Sequence, residues 1–109
     1  EIMHIDFIGV CFDIVLNQMS KMCYKTNGKV RVPMVLRTQG GRGHSNSCTQ
    51  SQSLESLVTA IPGLKVVMPS TAYDAKGLLK SSIRDNNPVV LLSTRGCIRP
   101  KRSCRRRNI

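Results

Sequence analysis

The chain has 109 residues, 40% of them apolar, with two Tyr, two Phe and no Trp; that is room for one small domain whose core must come from Val, Ile, Leu and Met. No apolar run nears the roughly 20 residues that span a bilayer, and Glu1, His4 and Asp6 interrupt any leader-like start, so neither a membrane span nor a signal peptide is expected. The 17 basic and 6 acidic residues give +11, but Arg95, Arg99, Lys101, Arg102, Arg105, Arg106 and Arg107 crowd the last 15 positions and leave residues 1–94 with 10 basic against 6 acidic groups, or +4; the basicity belongs to a tail and not to the domain.

Taken in chain order, residues 7–24 are predicted to be helical. Phe7, Val10, Cys11, Ile14, Val15, Met19 and Met22 fall on one apolar stripe at spacings of three and four. Asp6 is placed to cap the start, and Asn27-Gly28 to stop the helix. Residues 30–37 read as a strand, although Pro33 demotes its middle unless the missing N–H faces an unpaired position. Residues 38–53 are rich in Gly and hydroxyls and read as a loop. A short amphipathic helix over 53–60 ends at Pro62-Gly63, and 64–69 is a buried strand stopped by Pro69. Thr71 and Asp74 form a capping-box pattern for a helix running to Arg84, with Leu78, Leu79 and Ile83 as its buried side. Asp85 to Pro88 is a turn, and 89–92 is another buried strand. Continuous apolar strands alternating with helices predict an α/β fold with a parallel sheet covered on both faces. Ligand sites in such sheets lie beyond the carboxyl ends of the strands. That directs attention to the loop after Leu36, the start of the first helix and the segment after Leu92.

The short motifs are individually weak. Gly40-Gly41-Arg42-Gly43 follows a strand, but no Gly-Lys-Ser/Thr and no GxGxxG spacing accompanies it, so it reads as a flexible turn. Arg37 reads as pairing with an anion or a local acid. His44 titrates in the right range for proton transfer, yet no partner residue for it is visible, and it reads as solvent-facing. Cys11, Cys23, Cys48, Cys97 and Cys104 are odd in number and contain no CxxC pair, which predicts reduced thiols and neither a zinc site nor a disulfide framework.

Longer stretches carry more. EIMHIDF at 1–7, KVRVPMVLRT at 29–38, SQSLE at 51–55 and IPGLKVVMPSTAYDAKGLLKSSIRDNNPVV at 61–90 together resemble the beta subunits of the thiamine-diphosphate-dependent pyruvate dehydrogenase component. The acetoin and branched-chain 2-oxo acid dehydrogenase beta subunits share much of the pattern. The resemblance implies an incomplete parallel three-layer α/β sandwich of the transketolase-like pyrimidine-binding type over residues 1–92. It implies oxidative decarboxylation of pyruvate with acyl transfer to a lipoyl-bearing acyltransferase. It implies an alpha-beta heterotetramer of two copies each, with thiamine diphosphate shared between subunits and its diphosphate and magnesium held by the alpha subunit. Phe7 matches the aromatic residue that packs on the cofactor's pyrimidine ring. Gln50 matches the family's loop histidine, in Thr49-Gln50-Ser51-Gln52 where the family has Gln-His-Ser-Gln. Met34, Ser82, Ile83, Asp85 and Asn87 match positions whose carbonyl oxygens hold a structural potassium ion.

The family's pyrimidine-contacting glutamate lies upstream of the segment matching Glu1, so the chain is expected to be a fragment, marginal in stability and inactive alone. Its expected compartment is the cytoplasm of a bacterium, or the mitochondrial matrix or plastid of a eukaryote, and not the exterior. The likeness stops after Leu92, and residues 93–109 are expected to be a disordered, frameshifted tail. One permitted coding of Ser93 to Ile98, read one base earlier, gives Glu-His-Glu-Gly-Leu-Tyr, as the family continues. On that reading nucleic acid is not an expected partner. The competing reading is a non-enzymatic module whose basic arm grips nucleic acid, and its mark would be salt-dependent binding.

Overall fold

The structure is a computed structural model describing residues 1–41 and 47–94. His44 and the basic tail therefore lie outside the described residues.

Three parallel strands form the sheet: β1 (Val35–Gly40), β2 (Lys65–Val67) and β3 (Val89–Thr94), in the order β1-β3-β2. The register aligns Val35 with Val89 through Gly40 with Thr94, and Lys65 with Val89 through Val67 with Leu91. Ile2 extends the sheet beyond β1 by a parallel bridge to Thr38, its N–H donating to the Arg37 carbonyl at 3.0 Å. Central β3 is buried from Val89 to Ser93, as its unbroken apolar run requires. Val90 and Leu92 join Ile5, Ile8, Met19 and Val58 in one core cluster. By alternation Val89 and Leu91 face the other side, where α3 (Ala72–Ile83) packs on β3. Helices thus cover both faces, and the α/β three-layer expectation holds.

The first helical stretch differs from its expectation in a physically informative way. It runs as a 3-10 segment (Ile5–Cys11), an α-helical link, a π segment (Ile14–Met19) and α1 (Met22–Lys25). Three residues per 3-10 turn put Ile5, Ile8 and Cys11 on one line, and the line continues through Val15 and Met19. The buried residues are Ile5, Ile8, Val15 and Met19, whereas Phe7, Val10 and Ile14 are exposed, Val10 at 93%. The predicted stripe assumed an α-helical period throughout: it holds at Cys11, Val15 and Met19, which are buried or packed on the core, and fails at Phe7, Val10 and Ile14. Asp6 is not the cap either: His4 holds the N-cap position and makes no side-chain cap bond. The predicted stop is correct. Asn27 and Gly28 have φ of 52° and 79°, and the Gly28 N–H donates back to the Cys23 carbonyl at 2.8 Å.

The first strand was expected over 30–37 and lies over Val35–Gly40. Pro33 cannot donate to a ladder, so pairing begins beyond it, with the Val89 N–H donating to the Met34 carbonyl at 2.9 Å. The strand then continues through Thr38, Gln39 and Gly40, which read as loop for want of apolar side chains. Gly40 is there for space: a Cβ would lie 2.6 Å from Ile5 Cγ2.

The short helix expected over 53–60 is α2 (Glu55–Thr59); the buried strand expected over 64–69 is the shorter β2, with Lys65 exposed and Val66 and Val67 only partly buried, because it lies at the end of the sheet and pairs only with β3. Thr71 caps α3 as predicted, its Oγ1 accepting the Asp74 N–H at 3.0 Å. The Asp74 carboxylate itself accepts from the Ser70 hydroxyl at 2.9 Å. Ile83, expected to be buried, is 63% exposed, and Ser82 is buried in its place. The sheet-facing line runs from Ala75 through Leu78 and Leu79 to Ser82, and Ile83 stands a further 100° around the helix. The Ser82 hydroxyl is satisfied within the helix, donating to the Leu78 carbonyl at 2.7 Å.

Gly63 ties the two helical stretches on one face together. Its φ is +93°, and a Cβ there would collide with the Ser20 carbonyl. Gly63→Ala is therefore expected to cost about 3 kcal/mol, combining left-handed strain with backbone displacement. Urea unfolding of the two chains measures it, as a lower midpoint with an unchanged slope.

Candidate functional site at the carboxyl edge of the sheet

The strands point their carboxyl ends at one edge, and the candidate cofactor residues gather there. The chain leaves its Ile2 bridge, passes buried His4 and enters the 3-10 segment, so Asp6 and Phe7 sit at the helix start over this edge. Phe7 is 41% exposed, and its ring stands edge-on to His4, with centroids 5.7 Å apart and planes at 79°. An aromatic held from one side by a buried ring and open on another is suited to packing against a flat ligand.

β1 ends at Gly40 on the same edge, and the chain returns there at Gln52. The Gln52 N–H donates to Asp6 Oδ1 at 3.1 Å, and the Gly41 N–H donates to the Gln52 carbonyl at 3.0 Å. This pinch brings the turn carrying Gln50 to the helix start carrying Phe7. The turn is built locally: the Gln50 N–H donates to the Ser47 carbonyl at 3.3 Å, the Thr49 N–H to Ser47 Oγ at 3.0 Å, and the Ser47 and Thr49 hydroxyls lie 2.6 Å apart. Three polar atoms of this region, Asp6 Oδ2, Thr38 Oγ1 and Ser51 Oγ, are buried without a hydrogen-bond partner among the described residues. Unfilled capacity beside a half-open aromatic fits a planar, polar cofactor ring. Sequence reasoning missed Asp6 as an anchor. Its signal was its place, immediately before Phe7 in the EIMHIDF segment, but a capping role explained it equally well.

The second set of predicted residues lies at the opposite, amino edge. Met34 precedes β1, Ser82 and Ile83 end α3, and Asp85 and Asn87 form the turn into β3. The Asp85 N–H donates to the Ser82 carbonyl at 3.2 Å, and Met34 is joined to the turn through Val89. Among the described residues no backbone N–H is donated to the carbonyls of Ile83, Asp85 or Asn87. The free carbonyls of Ile83, Asp85 and Asn87 are hard oxygen donors of the kind a hard cation takes, whereas those of Met34 and Ser82 already accept one N–H or more. The turn is braced by Asp85, whose Oδ1 accepts the Asn87 N–H at 2.9 Å and whose Oδ2 lies 2.6 Å from Lys65 Nζ. Arg37 pairs with Glu1 at 3.6 Å in the open, the local acid of its two expected partners. Among the described residues no helix is long and apolar enough to cross a membrane.

Comparison with known proteins agrees with this architecture. Residues 1–101 match the family described as the transketolase pyrimidine binding domain. The chain is 53% identical over 90 residues to an acetoin:2,6-dichlorophenolindophenol oxidoreductase subunit beta of Cupriavidus necator, covering 83% of this chain and 27% of that protein. It is 46% identical over 94 residues to a pyruvate dehydrogenase E1 component subunit beta of Bacillus subtilis, covering 84% and 29%. It is 41% identical over 90 residues to a 2-oxoisovalerate dehydrogenase subunit beta of the same organism, covering 83% and 28%. The chain thus spans between a quarter and a third of the length of these curated relatives.

The Lys65 ammonium, and then the Asn87 N–H, hold the Asp85 carboxyl down to about 2, against an ordinary value of 3.8. A carboxyl lowered in the folded state stabilises the fold above its unfolded pKa, and that contribution disappears as pH falls from about 4 through about 2. Asp85→Asn should therefore lower the urea midpoint at pH 7 and lower it much less at pH 2, where the folded-state carboxyl is already half protonated. Urea titrations at both pH values check this.

Proposed function

The chain belongs to the transketolase pyrimidine-binding family, and from that premise we propose that it is the cofactor-gripping part of a beta subunit of a thiamine-diphosphate-dependent 2-oxo acid dehydrogenase. The proposed reaction is oxidative decarboxylation of pyruvate, with the acyl group passed to a lipoyl-bearing acyltransferase. The observation that carries this reading is the convergence of Phe7 and the Gln50 turn at the carboxyl edge through Asp6 and Gln52. A matching alpha subunit would hold the diphosphate and its magnesium, in a heterotetramer of two copies of each chain. Potassium would be held by the carbonyls of Met34, Ser82, Ile83, Asp85 and Asn87. The setting would be the bacterial cytoplasm, or the mitochondrial matrix or plastid.

The chemistry that thiamine diphosphate supplies when bound is attack on a 2-oxo carbonyl and storage of the electron pair released with carbon dioxide. This chain's residues do the surrounding work. Phe7 packs on the pyrimidine ring and keeps water from it, and Ile5 and Ile8 beneath the helix start hold that ring's support rigid. Gln50 donates and accepts hydrogen bonds beside the acyl group, but it holds no proton that moves near neutral pH. Transfer to the carrier is therefore the step this sequence leaves weakest.

A second reading, cleavage of acetoin in place of pyruvate, is favoured by the higher identity to acetoin-type subunits, 53% and 54% against 46% for the pyruvate-type subunit of Bacillus subtilis. Dye reduction by the chain in a full-length beta subunit with its alpha subunit, fed pyruvate or acetoin, separates the two. No thiamine-diphosphate-dependent reduction with either would refute the enzyme reading.

Phe7→Ala is expected to weaken thiamine diphosphate binding by roughly tenfold, the loss of one aromatic packing contact; calorimetric titration of the assembled enzyme measures it. Gln50→His is expected to raise the acyl-transfer kcat by roughly a hundredfold, as a positioned proton donor does. The readout is acylation of the lipoyl carrier at saturating cofactor.

A further inference from the structure

The turn carrying Gln50 is joined to the helix start by a carboxylate that the helix itself does not use. Asp6 lies in the first turn of the 3-10 segment, yet the N-cap is His4. Asp6 Oδ1 instead accepts the Gln52 N–H across 46 positions of sequence. A backbone N–H donated to a carboxylate is stronger than one donated to a neutral oxygen. The Gln52 carbonyl in turn accepts from Gly41, so residue 52 is held from both sides. Asp6 precedes Phe7 directly, and Gln52 follows Gln50 by two. A single carboxylate therefore fixes the separation between the residue proposed to grip the cofactor and the residue proposed to face the acyl group.

The rest of the surroundings agrees. Gly40 brings β1 so close to Ile5 that no larger residue fits, and the Gln52 carbonyl lies 3.3 Å from where a Cβ would be. The helix start, the end of β1 and the returning loop are thus in mutual contact at residues 5, 40 and 52. Asp6 Oδ2 is buried and unpartnered, as is Ser51 Oγ. The half-buried carboxylate keeps Oδ1 at an exposed bond to Gln52 while Oδ2 is shielded and unfilled, an arrangement that gives little stability in return for ordering the loop.

We propose that Asp6 is a positioning residue. It tethers the turn of residues 50–52 to the helix start and so sets where the side chain at position 50 meets an acyl group bound beside Phe7. The kinetic half of this role rests on the cofactor-binding reading above, whereas the tethering half stands without it.

The test compares the full chain with Asp6→Ala and Asp6→Asn, by amide hydrogen exchange at Gln52 and at Val90–Leu92. The same substitutions are then placed in the beta subunit assembled with its alpha subunit, where kcat for acyl transfer and KM for thiamine diphosphate are measured. Asp6→Ala should speed Gln52 exchange by about tenfold or more and leave the β3 amides unchanged. Asp6→Asn keeps a carbonyl oxygen for the Gln52 N–H and should restore most of the protection. In the assembled enzyme Asp6→Ala should lower kcat by about tenfold to a hundredfold, as misplacing a reacting group does. KM for thiamine diphosphate should stay within about twofold, and Asp6→Asn should recover kcat, because a tether positions a group without adding to cofactor affinity. Unchanged Gln52 exchange in Asp6→Ala overturns the tether. Faster exchange with unchanged kcat overturns the positioning role. Absence of both dye reduction and acyl transfer in the unsubstituted enzyme refutes the enzyme reading and leaves exchange to decide the tether; dye reduction without measurable acyl transfer overturns the positioning role. Should Asp6→Ala not fold, Asp6→Ser replaces it: serine keeps a polar group but is too short to reach Gln52, and the same outcomes apply.

Discussion

The parallel ladder through β3 is the constraint on which the remainder of this structure depends. β3 donates and accepts on both sides, to β1 and to β2, and it is buried on both faces. A strand with no edge and no solvated face must be covered by helices above and below. The first helical stretch with α2 and, opposite, α3 supply that cover. Parallel pairing also forces each connection to cross from one end of the sheet to the other. The two ends of the sheet therefore differ in kind, and the candidate sites divide between them.

At the carboxyl end the connections leave the strands as loops and helix starts, and the side chains of Asp6, Phe7 and Gln50 become available there. At the amino end they arrive as helix ends and turns, where backbone carbonyls are left over. A planar organic ligand suits the first environment and a bare cation suits the second. Met34 and the Asp85–Asn87 turn lie just before β1 and β3, so anything that orders the amino-end turn also fixes the starting register of the two strands that lead to the other site. The two candidate sites are thus mechanically linked through the sheet without sharing a residue.

Much of this was legible in the sequence, for reasons that can be named. α3 announced itself by Thr71 and Asp74, because capping is a local interaction between near neighbours. Asn27-Gly28 announced the end of the first helical stretch, because few other residues tolerate positive φ. β3 was visible as an unbroken apolar run. What failed required non-local information. Thr38 and Gly40 belong to β1 because Ile2 and β3 flank them, and nothing in their own side chains says so. The buried line of the first helical stretch was misread at Phe7, Val10 and Ile14, though not at Val15 and Met19, because hydrophobic periodicity presumes an α-helical pitch that the 3-10 and π segments do not keep. Asp6 was assigned to its neighbours when its partner was Gln52. The resemblance to beta subunits named Phe7 and Gln50 as candidates, but only the fold showed that a single hydrogen bond brings their segments together.

The alternation of 3-10 and π turns in the first helical stretch has a consequence for how such a chain tolerates length changes. A 3-10 turn is overwound and a π turn underwound relative to an α-helix. Placed in succession they offset each other, so one apolar line runs from Ile5 to Met19 although neither half keeps the α-helical pitch. The π turn, closed by the Ser20 N–H donating to the Val15 carbonyl, holds one residue more than an α-helical turn. Losing a single residue there would relax the turn to an ordinary α-helix while α1 stayed packed. Because the turn carries that residue as a surplus, the segments on either side would keep their faces, with Ile5 and Ile8 still inside and Phe7 still at the sheet edge. The segment is thus a length buffer with one tolerant end: a one-codon deletion in the π turn is absorbed, whereas the same deletion in the 3-10 half just after Phe7, which holds no surplus residue, would turn that side chain by about a third of a turn.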